Sequence, residues 1–330
     1  MSRIAILGAG AWGTALALSL ARQKKHELTL WAHTPAHVDA MIATRENKQF
    51  LPGYALPEDL RISKDLLQTA REHDILLCVT PSEFLGDTVR AIAPVLRENH
   101  IFVSASKGLE NATFLRMSEV VAAMSPVRFA TLGGPSFAKE VAAALPTAIV
   151  LASTDTEAAQ QLQRDFSSDS LRVYVNDDVT GVELGGALKN VIALAAGVVA
   201  GLELGSNAAA ALITRGMAEM TRLAVASGAK PETMAGLAGY GDLVLTCTGS
   251  LSRNRTVGVE LGKGKKLPEI IAGLNGKVAE GVRCTGATLG LAARLGIEMP
   301  ITREMHAILH EDRSPQEAIR ILMTRPGKSE

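Results

Sequence analysis

The chain has 330 residues, more than the roughly 250 to 300 at which one hydrophobic core stops growing, so its length predicts two domains. Hydrophobic residues make up 47% of the sequence and charged residues 21%, a balance that is typical of globular proteins and excludes a disordered chain. The 34 basic and 34 acidic residues cancel, so we expect neither nucleic acid nor an anionic membrane surface as a partner.

The N-terminal residues 4–21 carry no charge and superficially resemble a signal peptide or a short membrane span. Gly8, Gly10 and Gly13 would weaken one continuous helix by about 1 kcal/mol each, whereas they suit a strand, a turn and a helix. We therefore expect no secretion signal and no integral membrane segment.

The three cysteines, Cys78, Cys247 and Cys284, are an odd number without C-x-x-C spacing or nearby paired histidines. Neither a disulfide framework nor a zinc site is indicated by this pattern. We expect a cytoplasmic protein that needs no metal.

Short apolar runs alternate with helix-length segments through the first half of the chain. We predict strands at 4–7, 28–31, 75–79, 101–105, 128–132, 148–151 and 171–175. Strands separated by helices indicate a parallel sheet covered on both faces, and therefore an α/β, doubly wound, Rossmann-type domain.

The second half of the chain has a helical pattern punctuated by glycine, with no convincing strand. A long helix is expected to begin after Asn176, Asp177 or Asp178, any of which could cap it. The uncharged run 191–202 is too short to span a bilayer and is predicted to be a core helix. We expect a dinucleotide-binding domain at 1–180 and an all-helical substrate domain at 181–330.

The glycine motif G-x-G-x-x-G occupies 8–13, directly after the first predicted strand and before a predicted helix. Gly8 would allow the tight turn, Gly10 the approach of a pyrophosphate, and Gly13 close packing of the helix on the strand. The helix N-terminus supplies N–H donors and partial positive charge. We therefore predict that a dinucleotide binds here, with Ala11 and Trp12 also at its site.

The choice between NADH and NADPH depends on the end of the second strand. An NAD-specific site has a carboxylate about 20 residues after the loop, where this chain has Trp31, Ala32 and His33. His33 could donate to a 2′-phosphate, so we predict that NADPH is accepted at least as well as NADH. Alternatively, His33 is only a partly exposed loop residue.

Lys189 lies on an otherwise apolar helix face with Val182, Ile192 and Ala196. Such a lysine either extends to water or is held by partners. Carbonyl reduction needs a proton donor beside the forming alkoxide, and a partly desolvated lysine can take that role. The helix pattern alone leaves both possibilities open.

Seven motifs in this order resemble the bacterial glycerol-3-phosphate dehydrogenase family over essentially the whole chain. They are GAGAWG at 8–13, SKGL at 106–109, GPSFAKE at 134–140, LKN at 188–190, GYGDL at 239–243, SRNR at 252–255 and AEG at 279–281. The resemblance implies a Rossmann-type domain followed by an all-helical domain, with the active site between them. It also implies reduction of dihydroxyacetone phosphate to glycerol 3-phosphate with NADH or NADPH for phospholipid synthesis, and a homodimer.

The resemblance assigns roles to residues at the matching positions. Lys189 would be the proton donor, Lys107 would hold the substrate and contact the cofactor, and Asp242 would orient Lys189 and bind substrate. The other expected substrate residues are Gly134, Ser136, Asn190, Thr246, Ser252, Arg253 and Asn254. The other expected cofactor residues are Ala138, Arg253, Val278 and Glu280. His33 departs from the arginine that we expect more often in this family.

Each of these motifs has a purely structural alternative on local sequence alone. Residues 239–241 with Asp242 could be a helix terminus and its N-cap, and 252–255 could be a solvated basic turn. Two other functions are also considered: another two-domain ketone reductase or hydroxyacid dehydrogenase, and a regulatory protein that binds NAD(P)H without turnover.

Overall fold

The computed structural model describes residues 1–273 and 279–327, and the chain forms two compact units. The first unit comprises Met1–Lys107 and Leu115–Glu183, and the second comprises Gly108–Phe114 and Leu184–Glu330. A short internal segment thus belongs to the second unit although both of its flanks belong to the first. The predicted domain bounds, 1–180 and 181–330, stay a prediction.

The first unit is built on one eight-stranded sheet. Its strands are β1 (Ser2–Leu7), β2 (His26–Trp31), β3 (Arg61–Ser63), β4 (Ile75–Cys78), β5 (Ile101–Ser104), β6 (Arg128–Gly133), β7 (Thr147–Ala152) and β8 (Leu171–Asn176). The spatial order is β3-β2-β1-β4-β5-β6-β7-β8, so the direction of winding reverses between β1 and β4. In register, Ile4 of β1 faces Leu28 of β2 on one side and Ile75 of β4 on the other.

Seven helices belong to the first unit. They are α1 (Ala11–Arg22), α2 (Pro35–Thr44), α3 (Leu66–Glu72), α4 (Ser82–Ile92), α5 (Met117–Ala122), α6 (Ala138–Ala142) and α7 (Thr156–Phe166). A single 3₁₀ turn, Ala93–Val95, follows α4.

Both faces of the sheet are buried, as a doubly wound fold requires. Ile4 and Ile6 of β1 lie in one apolar cluster, and the alternating Ala5 and Leu7 lie in another. Successive strand residues point to opposite faces, so two separate cores cover this strand. The α/β, doubly wound prediction is confirmed.

The direction of β7 corrects the expectation of a wholly parallel sheet, because β7 runs antiparallel to β6. The intervening α6 has five residues and rises about 7.5 Å, whereas a six-residue strand spans about 20 Å. Residues 134–146, which contain this helix, reverse the chain, so that β7 returns alongside β6 in the opposite direction. The edge strand β3 was not predicted because its three residues contain no apolar run.

The helices from residue 179 onward follow β8. They are α8 (Val179–Gly201), α9 (Gly205–Ala226), α10 (Pro231–Ala235), α11 (Asp242–Thr248), α12 (Arg253–Gly262), α13 (Leu267–Ala272), α14 (Glu280–Leu295), α15 (Pro300–His310) and α16 (Pro315–Met323). A π-helical turn, Leu237–Gly241, precedes α11. The described residues after β8 contain no strand, which confirms the predicted helical second half.

Helix α8 forms the centre of the second unit's core and begins where it was predicted to begin. The Asp178 carboxylate accepts a hydrogen bond from the Gly181 N–H at 2.8 Å, so Asp178 caps the helix. Among the described helices, α8 is the one long and apolar enough to cross a membrane, yet 89% of its most apolar window is buried inside the protein. Such burial is typical of a helix in the core of a globular protein, as the sequence predicted for residues 191–202.

Candidate active site

The three glycines of the loop after β1 differ in what surrounds them. Gly8 has a φ of +124°, and an added Cβ would lie 3.0 Å from the Val79 carbonyl carbon. A Cβ on Gly13 would lie 1.9 Å from the Gly8 oxygen, whereas one on Gly10 would have no described atom within 4 Å. The tight turn is therefore at Gly8, the open space at Gly10 and the close helix packing at Gly13, as the sequence predicted for each glycine.

The N-terminus of α1 has the properties of an anion site. No described side chain caps it at Gly10, and its first turn contains no acidic residue. The positive end of the helix is therefore not offset by a nearby protein carboxylate. The Trp12 indole Nε1 is buried without a hydrogen-bond partner among the described residues. A pyrophosphate with its many acceptor oxygens fits this donor set.

Asn47 supports the glycine loop and was not predicted from the sequence. Its side chain is fully buried, and its Nδ2 donates to the Ala9 carbonyl and to Thr14 Oγ1, each at 2.8 Å. Its Oδ1 accepts the Phe50 N–H at 3.2 Å and lies 2.9 Å from His37 Nε2. No local pattern distinguishes this asparagine from a surface residue, because the two partners through which it supports the loop, Ala9 and Thr14, lie 38 and 33 positions away.

The carboxyl end of β5 brings three predicted substrate residues together within the first unit. Lys107 Nζ donates to the Gly134 carbonyl at 3.1 Å, and Ser136 Oγ donates to the same oxygen at 3.0 Å. The Ser106 hydroxyl donates to the Thr80 carbonyl after β4. Because β4, β5 and β6 are parallel, their carboxyl ends share one sheet edge, next to the winding reversal where α/β folds bind ligands.

Two predicted cofactor residues of the first unit lie at element ends. His33 follows β2, has an exposed side chain, and meets the Trp31 ring edge-on with centroids 6.1 Å apart. Its exposure is compatible with both a loop role and contact with a 2′-phosphate. Ala138 is the first residue of α6 and packs against the core of the sheet.

Lys189 does not extend to water. The residue is 5% exposed on α8, and its ammonium forms a hydrogen-bonded ion pair with the 1% exposed Asp242 of α11. Thr246 Oγ1, one turn further along α11, donates to the Asp242 carbonyl at 2.6 Å. The Asp242 carboxylate thus pairs with Lys189. Asp242 is not the N-cap of α11, because that position is occupied by Gly241.

A second polar network lies one residue further along α8. Asn254 Nδ2 donates to Asn190 Oδ1 at 2.9 Å, and Asn254 Oδ1 accepts the Gly281 N–H at 3.0 Å. Asn190 Nδ2 donates to the Gly186 carbonyl at 3.3 Å. Each amide is held in one orientation, and Asn254 keeps a second N–H for another acceptor.

The segment 252–255 is a helix start rather than a solvated turn. Ser252 is buried and caps α12, with its Oγ accepting the Arg255 N–H at 3.2 Å. Arg253 follows with an exposed side chain, at the end of the helix where N–H groups and positive charge favour an anion.

The remaining predicted cofactor residues lie near the start of α14. Glu280 is its first residue and is partly buried, whereas Val278 lies outside the described residues.

On α11, burial raises the pKa of the Cys247 thiol to about 12, so this thiol stays protonated near neutral pH. The neighbouring Lys189 and Asp242 form a buried ion pair.

Comparison with known proteins places these features in one family. A model of the NAD-dependent glycerol-3-phosphate dehydrogenase N-terminus matches residues 3–159, and the model of the C-terminus matches residues 178–320. The chain belongs to the NAD-dependent glycerol-3-phosphate dehydrogenase family. The predicted family, its oxidoreductase class and its NAD(P) cofactor are thereby confirmed.

Relatives of this glycerol-3-phosphate dehydrogenase family match the chain from end to end. A glycerol-3-phosphate dehydrogenase [NAD(P)+] from Acidobacterium capsulatum is 57% identical, with 100% of both chains covered. One from Koribacter versatilis is 54% identical over 100% of this chain and 99% of that protein. The crystal structure of a glycerol-3-phosphate dehydrogenase from Coxiella burnetii has a TM-score of 0.95 at 44% identity, covering 98% of this chain and 99% of that one.

Proposed function

We propose that this chain reduces dihydroxyacetone phosphate to sn-glycerol 3-phosphate, reversibly, with NADH or NADPH. The observation that carries the proposal is the buried Lys189–Asp242 pair, which holds an ammonium beside the Asn190–Asn254 network. A small carbonyl substrate needs such a proton donor, and the glycine loop of the same chain suits the hydride-carrying cofactor.

The reaction needs one hydride and one proton for each ketone. When bound, the nicotinamide cofactor supplies the hydride to the ketone carbon. Lys189 Nζ gives its proton to the forming alkoxide, and in the reverse direction it takes the proton from the alcohol. Asp242 fixes the orientation of the ammonium and offsets its charge in a buried setting, where an unpaired charge is costly.

Further polar groups of the chain would hold the substrate. Lys107 contributes a cationic donor, and Gly134 and Ser136 form the loop on which it rests. Asn190, Thr246 and Asn254 offer neutral hydrogen bonds to the substrate oxygens, with Asp242 alongside them. Arg253, supported by the Ser252 cap, offers a planar charged group for the substrate phosphate or the cofactor.

The cofactor would bind through the glycine loop, with Gly8, Gly10 and Gly13 shaping it and Ala11 and Trp12 at the start of α1. Ala138 and Glu280 are proposed to contact the cofactor elsewhere, as are Lys107 and Val278. Since no carboxylate ends β2 and His33 is exposed there, we propose that NADPH is used at least as well as NADH.

Several broader features belong to the same proposal. The dinucleotide domain would span 1–180 and the substrate domain 181–330. The enzyme would act in the cytoplasm as a homodimer formed through its helical domain, and its product would supply the backbone of glycerophospholipids. Size-exclusion chromatography with light scattering tests the dimer, and a monomer across the micromolar range would contradict it.

Initial rates of cofactor oxidation test the central proposal. NADPH and NADH are each followed with dihydroxyacetone phosphate, and pyruvate and ketopantoate serve as comparison substrates. We expect rapid turnover of the triose phosphate alone, with NADPH at least as effective as NADH. Tight cofactor binding without turnover would overturn the reaction, and preference for ketopantoate would overturn the substrate.

A further inference from the structure

Asn47 is a fully buried residue of the first unit, and its partners fix the orientation of its side-chain amide. One amide atom lies 2.8 Å from the Ala9 carbonyl oxygen, which can only accept, so that atom is Nδ2 and donates. The other atom, Oδ1, accepts the Phe50 N–H at 3.2 Å and lies 2.9 Å from His37 Nε2. Because Oδ1 carries no hydrogen, His37 donates to it through Nε2.

The main chain of Asn47 is held as well as its side chain. Its carbonyl accepts the Leu51 N–H at 2.9 Å, and Leu51 is buried in the apolar cluster that covers one face of the sheet. The two hydrogens of Nδ2 are both used, on the Ala9 carbonyl and on Thr14 Oγ1. The amide therefore connects the glycine loop to the first turn of α1 from a fixed point in the core.

The Ala9–Gly10 peptide bond is the part of the loop that this amide holds. The bond is trans, so the Ala9 carbonyl and the Gly10 N–H point in opposite directions. Since the carbonyl points at the buried Asn47, the Gly10 N–H points away from it. A Cβ on Gly10 would have no described atom within 4 Å, so there is room beside this residue. The loop thus offers the N–H at the N-terminus of α1, where an anion is favoured.

We infer that Asn47 is a positioning residue for the cofactor: by holding the Ala9 carbonyl, it directs the Gly10 N–H at the pyrophosphate. Asn47 itself has no exposed surface with which to contact the ligand. A donor that is fixed before the ligand arrives raises affinity, because the loop need not be ordered on binding. The inference rests on the proposed function through its cofactor site alone, and it involves only residues of the first unit.

Two alanine substitutions form a matched pair because they remove hydrogen bonds from opposite ends of the same amide. Asn47→Ala removes both bonds to the glycine loop and α1. His37→Ala removes one bond to Oδ1 and leaves Nδ2 on Ala9 and Thr14. Both changes should lower Tm, so stability alone does not separate a positioning role from a structural one. Cofactor affinity, measured well below the Tm of each variant, separates them.

A fluorescence titration gives the Kd for NADPH without any turnover. For Asn47→Ala we expect this Kd to rise about tenfold, since a hydrogen bond to a charged group is worth roughly that factor or more. ADP-ribose, which carries the pyrophosphate but no nicotinamide, should lose affinity by the same factor in a competition titration. His37→Ala should bind both ligands within about twofold of the unsubstituted chain, because its loop contacts remain. An unchanged Kd in Asn47→Ala, an equal rise in both variants, or a loss confined to NADPH would overturn the inference.

Thr14→Val provides a second variant should Asn47→Ala fail to fold. Thr14 is fully buried and cannot contact the ligand, yet it accepts one of the two Nδ2 hydrogens. We expect its NADPH Kd to rise about threefold, as for an ordinary neutral hydrogen bond, and the double variant to match Asn47→Ala alone. An unchanged Kd in Thr14→Val, or losses that add in the double variant, would overturn the inference. If the Kd differences appear while the unsubstituted chain does not reduce dihydroxyacetone phosphate, the proposed reaction is overturned and the inference stands.

Discussion

Gly10 and Gly13 belong to one motif, yet the structure predicts that alanine at each position fails in a different way. At Gly13 the new Cβ would lie 1.9 Å from the Gly8 carbonyl oxygen, which is part of the backbone and cannot rotate away. At Gly10 the Cβ would enter space with no described atom within 4 Å, and the φ of −71° is one that alanine adopts without strain. Gly13→Ala should therefore lower the stability of the fold, whereas Gly10→Ala should weaken binding of the ligand.

The size of the Gly13→Ala effect follows from the overlap. To restore ordinary contact, α1 must move from β1 by more than about 1 Å, and overpacking of this kind costs up to about 3 kcal/mol. The better helix propensity of alanine offsets about 1 kcal/mol of this loss in unfolding free energy. A net loss of about 2 kcal/mol corresponds to a fall in Tm of roughly 4 to 8 °C for a domain of this size.

Gly10→Ala should leave Tm within about 1 °C of the unsubstituted chain, or slightly raise it, because alanine restricts the unfolded state. Its methyl group would stand where a pyrophosphate must approach, so we expect NADPH Kd to rise about tenfold or more, equivalent to about 1.4 kcal/mol.

Thermal unfolding and a fluorescence titration with NADPH, made on both variants, measure the two effects side by side. Gly286→Ala serves as a control for a glycine replaced in an open helical position. A Gly13→Ala variant that melts with the unsubstituted chain, or a Gly10→Ala variant that binds NADPH normally, would refute the reasoning.

Two further predictions concern proton transfer and pH. Lys189→Ala should lower kcat by about 10²- to 10⁴-fold with NADPH Kd unchanged; near-normal turnover would remove Lys189 from its role. The Arg128 side chain and then the Ala158 N–H hold the pKa of Asp155 down to about 2. Because the folded pKa is below the unfolded value of about 3.9, its stabilisation is present at pH 7 and is lost as pH falls from about 4 through 2. Asp155→Asn should therefore unfold at lower urea than the parent at pH 7, with a difference that shrinks toward pH 2; a constant difference would contradict this assignment.

Local signals in the sequence determined most of the architecture. The glycine spacing at 8–13 specifies a turn because only glycine accepts the φ of +124° at Gly8 and the contact at Gly13 without strain. The alternation of short apolar runs with helical segments predicts the sheet and the helical second half, since periodicity reflects which face is buried. Both kinds of signal act between residues that are close in the chain.

Contacts between distant residues were decided by the tertiary structure. The pairing of Lys189 with Asp242 spans 53 positions, and the local sequence alone favoured a helix cap at Asp242 over this pairing. Asn47 became a support of the glycine loop only because the chain returns it to Ala9. The reversal of β7 and the transfer of Gly108–Phe114 to the second unit likewise depend on the path of the chain. Propensity and periodicity describe each segment's own preferences, whereas these features arise from which segments meet in space, and that is settled by packing of the whole chain.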